Sequence, residues 1–310
     1  MKKIFVSLAA LFAAAAMMSA QSMADATETA KLANESLSAG EYQTALEGFK
    51  EALKMAEACG EDGLELVATC KDIIPKTLNA IAKDLLKDKN YDEALAKFAE
   101  TVSVAREYGD DETAAKAEEL IPQIYMQKGG SLLNAKDFAG AAEAYKKAVE
   151  LDPDNGIALL RLGMALDGAD RDDEAVEAYK AAAAAGQEKN ANAQLGKFYL
   201  KRSVASLKAK KYADAVKDAV TSNEYVANPQ ALQVAGQASQ LSGKNADAIK
   251  YFEQYLEAAP NAKNAGQIAY TVGALYQQAK NNAKAKEYFS KATSDPKFGA
   301  DAQKALNSLK

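Results

Sequence analysis

The chain has 310 residues, 48% hydrophobic and 26% charged, with a formal net charge of −5, no histidine, no tryptophan and two cysteines. The missing imidazole removes the commonest metal ligand and a favoured general base, and two thiols are too few for a disulfide scaffold or a four-thiolate zinc site. Acidic and basic residues are interspersed without a basic block, which leaves nucleic-acid binding without electrostatic support.

In chain order, the first segment is "MKKIFVSLAALFAAAAMMSA". Lys2 and Lys3 form a charged start, residues 4–16 are apolar, and Met18, Ser19 and Ala20 form a small-residue exit before Gln21. That is the layout of a cleaved secretory signal over residues 1–20. Its apolar run is shorter than the roughly 20 residues of a membrane span, and no cysteine follows it to accept a lipid anchor. The expectation is a periplasmic or secreted protein with no transmembrane span in its mature part.

Beyond residue 20 one phrase recurs: an aromatic or polar residue, alanine three later, and an aromatic seven later. It reads Tyr42-Ala45-Phe49, Tyr91-Ala94-Phe98 and Phe138-Ala141-Tyr145, then Asp172-Ala175-Tyr179, Tyr212-Ala215-Ala219, Asn245-Ala248-Phe252 and Asn282-Ala285-Phe289. The starts lie 49, 47, 34, 40, 33 and 37 residues apart. Steps of three, four and seven share one face of a helix. Each repeat also has an earlier apolar stretch of helical spacing, such as Leu159, Leu162, Gly163 and Leu166. Each therefore predicts two antiparallel helices joined by a short turn such as "SAGEY", "KDKNY" or "LSGKN", and no segment alternates as a strand does.

Two inserts, "ACGEDGLELVATCKDIIPK" and "EYGDDETAAKAEELIPQ", lengthen the first two spacings. Each reads as a lengthened second helix, a Gly-Asp/Glu turn and a further helical stretch leading into Pro75 or Pro122. All six prolines (Pro75, Pro122, Pro153, Pro229, Pro260, Pro296) are expected at joints between repeats, since proline has no amide donor and clashes with the preceding turn. If residues 60–62 make a helix–helix turn, Cys59 and Cys70 are offset along the axes by about 10 Å, beyond disulfide reach. Two buried free thiols are expected. The final "FGADAQKALNSLK" should be a helix covering the last apolar face.

These residues resemble the tetratricopeptide repeat family, whose pattern has a large apolar residue, a Leu-Gly pair, an aromatic, an alanine, a second aromatic and a proline. The third repeat supplies Tyr125, Gly129, Leu132, Phe138, Ala141, Tyr145, Ala148 and Pro153. The fourth supplies Leu159, Leu162, Gly163, Leu166, Ala175, Tyr179 and Ala182. The fifth departs most, with Ala219 at an aromatic position, and smaller residues replace the family's tryptophan throughout. The resemblance implies an all-α α-solenoid of about seven antiparallel helix-pair repeats forming a superhelix, with a C-terminal capping helix. After the signal at 1–20, repeats one and two with their inserts occupy 21–121, repeats three to five 122–228, and repeats six and seven with the cap 229–310.

The resemblance also implies a concave surface lined by the first helices that holds a peptide or protein partner. Placing those helices by their small residues, the inner side chains are Lys76, Asn79, Lys83 and Lys87 in the second repeat and Lys197, Leu200, Lys201 and Lys208 in the fifth. The sixth presents Gln230, Gln233, Gln237 and Gln240, and the seventh Gln267, Tyr270, Gln277 and Gln278. The expectation is a groove with a basic end for carboxylates and an amide-rich end for an extended backbone. Some family members grip a terminal carboxylate with Asn and Lys. Asn34, Asn79 and Lys83 resemble part of that set, but the full set is not recognisable and the activity is not carried over.

No catalytic, cofactor-binding or metal residue is assigned. An enzyme would need a carboxylate pair or a Ser–Lys arrangement, and Asp152, Asp154, Asp170, Asp172 and Asp173 fit helix N-caps better. A carrier of glycan or small solutes is the alternative to a protein-binding scaffold. Inner aromatics would favour it, and Tyr270 is the rare candidate.

Overall fold

The computed structural model describes residues 22–309, and the signal expected at 1–20 lies outside the described residues. Among the described residues there is no strand. The chain divides into two compact units, Met1–Asp154 and Asn155–Lys310.

The first unit holds three helix pairs: α1 (22–38) with α2 (Tyr42–Ala58), α3 (Leu64–Lys87) with α4 (Tyr91–Tyr108), and α5 (Asp111–Asn134) with α6 (Phe138–Leu151). A 3-10 turn over Gly60–Gly63 links α2 to α3. The second unit holds α7 (Gly156–Gly168) with α8 (Asp172–Ala182), α9 (Glu188–Lys208) with α10 (Tyr212–Tyr225), α11 (Pro229–Leu241) with α12 (Asn245–Ala258), and α13 (Ala265–Gln278) with α14 (Asn282–Ala292). A kinked turn, Ala183–Gln187, with Gly186 left-handed at φ 85°, joins α8 to α9, and α15 (Gly299–Ser308) packs on α14. Within each unit the helices of a pair pack together and second helices pack on the next first helix. That is an all-α solenoid, stabilised by neighbour-to-neighbour packing.

Every recurring phrase starts on the first residue of a second helix, at Tyr42, Tyr91, Phe138, Asp172, Tyr212, Asn245 and Asn282. The alanine three residues in is fully buried in all seven. In six of the seven the residue four further on is a buried aromatic, and its ring meets the first helix at a fixed point. A Cβ added to Gly129, Gly163, Gly236 or Gly273 would lie 2.8, 2.6, 2.5 or 2.7 Å from the ring of Tyr145, Tyr179, Phe252 or Phe289. Each glycine stands sixteen residues before its ring, and the same offset separates buried Ala33 from Phe49 and Ala82 from Phe98. Each buried ring contributes about 2–3 kcal/mol by leaving water, and the notch is what lets the two helices approach closely enough to bury it.

The turn inside each pair is likewise one turn used seven times. Gly40, Lys89, Lys136, Asp170, Lys210, Gly243 and Lys280 all have φ between 57° and 80° and stand two residues before the second helix. In each turn the next amide reaches back five residues, as Asp137 does to the Leu132 carbonyl at 2.9 Å, and the left-handed residue's own amide reaches back three. This is the Schellman closure, which satisfies the last carbonyls of the first helix. Five of the seven left-handed residues carry a side chain, against a steric preference of about 1–2 kcal/mol.

Three expectations are corrected. Pro75 and Pro122 lie inside α3 and α5, not at joints, while the other four prolines lie at or near helix ends. The helical stretch after each Gly-Asp turn is therefore the first half of the next first helix, and the break expected between 121 and 122 falls within α5. Proline removes one backbone bond, but Cys70, Ile74, Leu78 and Ala82 are buried on either side of Pro75 and one apolar face runs through it. Both thiols are free and Cys70 is buried, but Cys59 is only half-buried, because it is the last residue before the 3-10 turn. Finally, Asp152 ends α6, Asn155 caps α7, and position 171 before α8 is an arginine, so the acidic cluster does not supply these N-caps.

The turn geometry generates a pair of opposite expectations. Lys136→Gly should raise stability by about 0.5–1 kcal/mol, because glycine relieves the left-handed strain, and Gly40→Ala should lower it by about 1 kcal/mol. Urea midpoints of the two variants, compared with the parent, should move in opposite directions. Movement the same way would show that the turns are not held left-handed.

Candidate binding face of the first helices

The expected site residues all lie on first helices. On α3, the buried Cys70, Ile74, Leu78 and Ala82 take one face, leaving Lys76, Lys83 and Lys87 exposed and Asn79 half-buried. The lysine row carries much of its own counter-charge. The Lys76 ammonium donates to Asp72 at 2.5 Å and Lys87 to Asp84 at 2.6 Å. Those hydrogen bonds push both lysines up, so they stay protonated. Lys83 has no partner among the described residues. The Asn79 side-chain oxygen is buried, also without a partner.

In the second unit α9 exposes Lys197, Lys201 and Lys208, while Leu200 and Val204 are half-buried against a core containing Val234 of α11. Lys201 donates to Asp167 of α7 at 2.9 Å, and this bond pushes its ammonium up. On α11, Gln230 and Gln240 are exposed and Gln233 and Gln237 half-buried. None of these four side chains has a partner among the described residues. On α13, Gln267 and Gln277 are exposed, and Gln278 accepts from Asn245 at 3.3 Å.

Tyr270 is the exception. Its ring lies 5.5 Å from Phe289 and 5.6 Å from Phe298, half-buried where the last pair meets the segment leading into α15. It belongs to the packing of that end and does not stand free on the face, which withdraws the aromatic support for a glycan carrier. The lysines of α3 lie in the first unit, whereas the rows on α9, α11 and α13 share the second.

The position of α9 rests on chemistry the other pairs lack. Sixteen residues apart, Ser203 and Ala219 are both fully buried, and no ring spans the gap. One residue earlier on each helix, Arg202 grips Asp218 with two hydrogen bonds of 2.8 and 2.7 Å. The Arg202 guanidinium also sits 4.9 Å from the Tyr199 ring centre, and Tyr199 stacks on Tyr225 at 5.8 Å with 9° between planes. The Ser222 hydroxyl donates to the Gly196 carbonyl at 2.7 Å. A bidentate pair substitutes for a ring.

Asp72 and Asp84 were legible from their helical spacing to Lys76 and Lys87. Asp167 was not, since it lies 34 residues from Lys201 and the repeat register is needed to see it. Among the described residues no group of three or more His, Cys, Asp or Glu could hold a metal ion, and no helix is long and apolar enough to cross a membrane.

These features define a class: a solenoid of helix pairs whose first helices bury a notched face and present a polar one. Tetratricopeptide repeat family models match residues 126–190, and residues 229–262 and 266–294. The last two segments coincide with α11–α12 and α13–α14. Those segments carry the tetratricopeptide repeat. No curated protein matches the sequence. Among solved structures, the chain is similar to the MamA protein at 22% identity, covering 59% of this chain and 96% of that one, with a TM-score of 0.38. YrrB, described as a TPR protein with an unusual peptide-binding site, is 22% identical over 60% of this chain and 90% of its own, with a TM-score of 0.34. The TPR2AB domain of yeast Sti1, solved in complex with pHSP90, is 15% identical over 92% of this chain and 98% of its own, with a TM-score of 0.36.

Arg202→Met would leave the Asp218 carboxylate, 4% exposed, without its partner, and should lower stability by about 2–4 kcal/mol. Adding Asp218→Leu should restore most of it, because the stranded charge is then gone. Chemical denaturation of both variants checks this. A neutral Arg202→Met would mean that the pair does not hold α9.

Proposed function

We propose that this protein is a non-catalytic interaction scaffold, exported to the bacterial periplasm, that holds a peptide or protein partner on the polar faces of its first helices. Tetratricopeptide repeat proteins are protein-interaction scaffolds, and the repeat matches support that class here. The signal layout of residues 1–20 supports export. The carrying observation is a division of labour on α3, α9, α11 and α13: one face of each is buried against its neighbours, and the other keeps some lysine or glutamine side chains with no partner among the described residues. Solenoids leave such extended surfaces free for binding. Among the expected groove residues, Lys83, Lys197 and Lys208 are cations without a partner among the described residues, and the α11 glutamines with Gln267 and Gln277 of α13 are amides without one.

A photo-crosslinking residue placed in turn at Lys83, Lys197 and Gln237 tests this in intact cells, with exposed Lys146 of α6 and Lys286 of α14 as second-helix controls. Discrete protein adducts are expected from first-helix positions, recovered in the periplasmic fraction on a chain beginning at Gln21. Adducts equally abundant at the controls, or none at the first-helix positions, would contradict the assignment.

A further inference from the structure

We propose that the turn edge of the last three helix pairs docks on an anionic bilayer surface. This edge lies apart from the polar faces of the first helices, and its docking does not depend on them. The first helices α9, α11 and α13 run parallel, so the turns that close them emerge at one edge of the second unit. Asn245 of one turn donates to Gln278 beside the next at 3.3 Å. Residues 208–214, 241–247 and 278–284, which make up these turns, carry six lysines against two aspartates, Asp214 and Asp247. The joints at the opposite edge, 225–231, 258–267 and 292–301, are balanced, with Lys263 and Lys297 against Asp295 and Asp301. In a chain of net charge −5, positive charge is gathered on one edge.

Lysines on the helix sides often pair along their own helix, as Lys147 does with Glu150 and Lys291 with Glu287. At the turns, Lys208, Lys210, Lys211, Lys244 and Lys280 are exposed with no partner among the described residues, and only Lys284 is bonded, to Glu287. A cation beside a helix C-terminus is favoured by the helix dipole, which accounts for one lysine per turn but not for three within 208–211. Lys210 and Lys280 also hold φ of 60° and 58°, where glycine is the unstrained choice. Lipid suits this edge better than nucleic acid. All six cations are lysines, compact mobile charges that match a fluid layer of headgroups, with no arginine fork for a fixed phosphate. The turns expose no ring on which a base would stack, Tyr212 being half-buried. Each lysine held near an anionic surface contributes about fivefold in affinity. The row stops at the turn before α8, where Asp170, Asp172 and Asp173 would be repelled. The last three pairs therefore face the surface and the α7–α8 pair stands off.

The test is flotation of the mature protein with phosphatidylcholine vesicles, with and without about one-third phosphatidylglycerol, at about 50 and 500 mM NaCl, which bracket weak and strong screening. Binding is expected to the anionic vesicles at low salt, at least about tenfold weaker at high salt, and absent with phosphatidylcholine alone. Lys210→Gly/Lys211→Gln/Lys244→Gln/Lys280→Gly, which keeps both left-handed turns, should bind at least about fiftyfold more weakly. Lys146→Gln/Lys217→Gln/Lys250→Gln/Lys286→Gln removes the same charge from exposed positions on second helices, and should stay within about threefold of the parent. Equal losses in the two variants, or no binding of the parent to anionic vesicles at low salt, would overturn the docking. So would tighter binding to duplex DNA or to an acidic polysaccharide than to the vesicles, since the edge would then serve a different polyanion.

Discussion

A single close approach governs this fold: a ring on six of the seven second helices, seated on a residue of the first helix that has almost no side chain. The ring needs burial, and the helices cannot come near enough to bury it if a larger group stands in the notch. Tyr145, Tyr179, Phe252 and Phe289 sit on glycines, and Phe49 and Phe98 stand at the same offset from buried alanines. Because the offset is constant at sixteen residues, the turn between the helices must be constant too. This explains why the chain keeps a left-handed residue at Lys89, Lys136, Lys210 and Lys280, where its side chain is disfavoured. Local strain is accepted so that the long-range contact stays in register.

The same constraint leaves only one stripe of a first helix unburied. A first helix that must bury small residues against one second helix and apolar residues against another has only a stripe left over. On α11 that stripe is four glutamines, and on α9 three lysines interleaved with Leu200 and Val204. These are residues that the packing does not require. The fifth pair shows the limit of that freedom. With Ala219 in place of a ring, helix α9 is held by Arg202 and Asp218, an interaction that is directional and sensitive to the loss of either partner.

Much of this architecture is legible in the residues, because its signal is repeated. One aromatic–alanine–aromatic phrase is ambiguous, but seven in register mark the start of every second helix, and the closing helix after residue 298 follows from the apolar face it must cover. What was misread depends on context that no local pattern carries. Pro75 and Pro122 look like punctuation, yet tertiary burial carries α3 and α5 through them. Tyr270 has the spacing of an inner-face residue, and only the meeting of α13 with the final segment turns its ring inward against Phe298. The lysine rows read as basic until Asp72, Asp84 and Asp167 are placed beside them.

The most direct test of the ring-and-notch constraint is a double-mutant cycle on Gly163 and Tyr179. Helix propensity alone favours Gly→Ala by up to about 1 kcal/mol, whereas the added methyl would lie 2.6 Å from the Tyr179 ring. In the parent, Gly163→Ala should therefore destabilise by about 1–3 kcal/mol. In a Tyr179→Leu background the penalty should vanish or reverse, giving a coupling of more than about 1 kcal/mol. An equal effect in both backgrounds, or a stabilised parent, would mean that the ring does not need the notch and that something else sets the spacing of these helices.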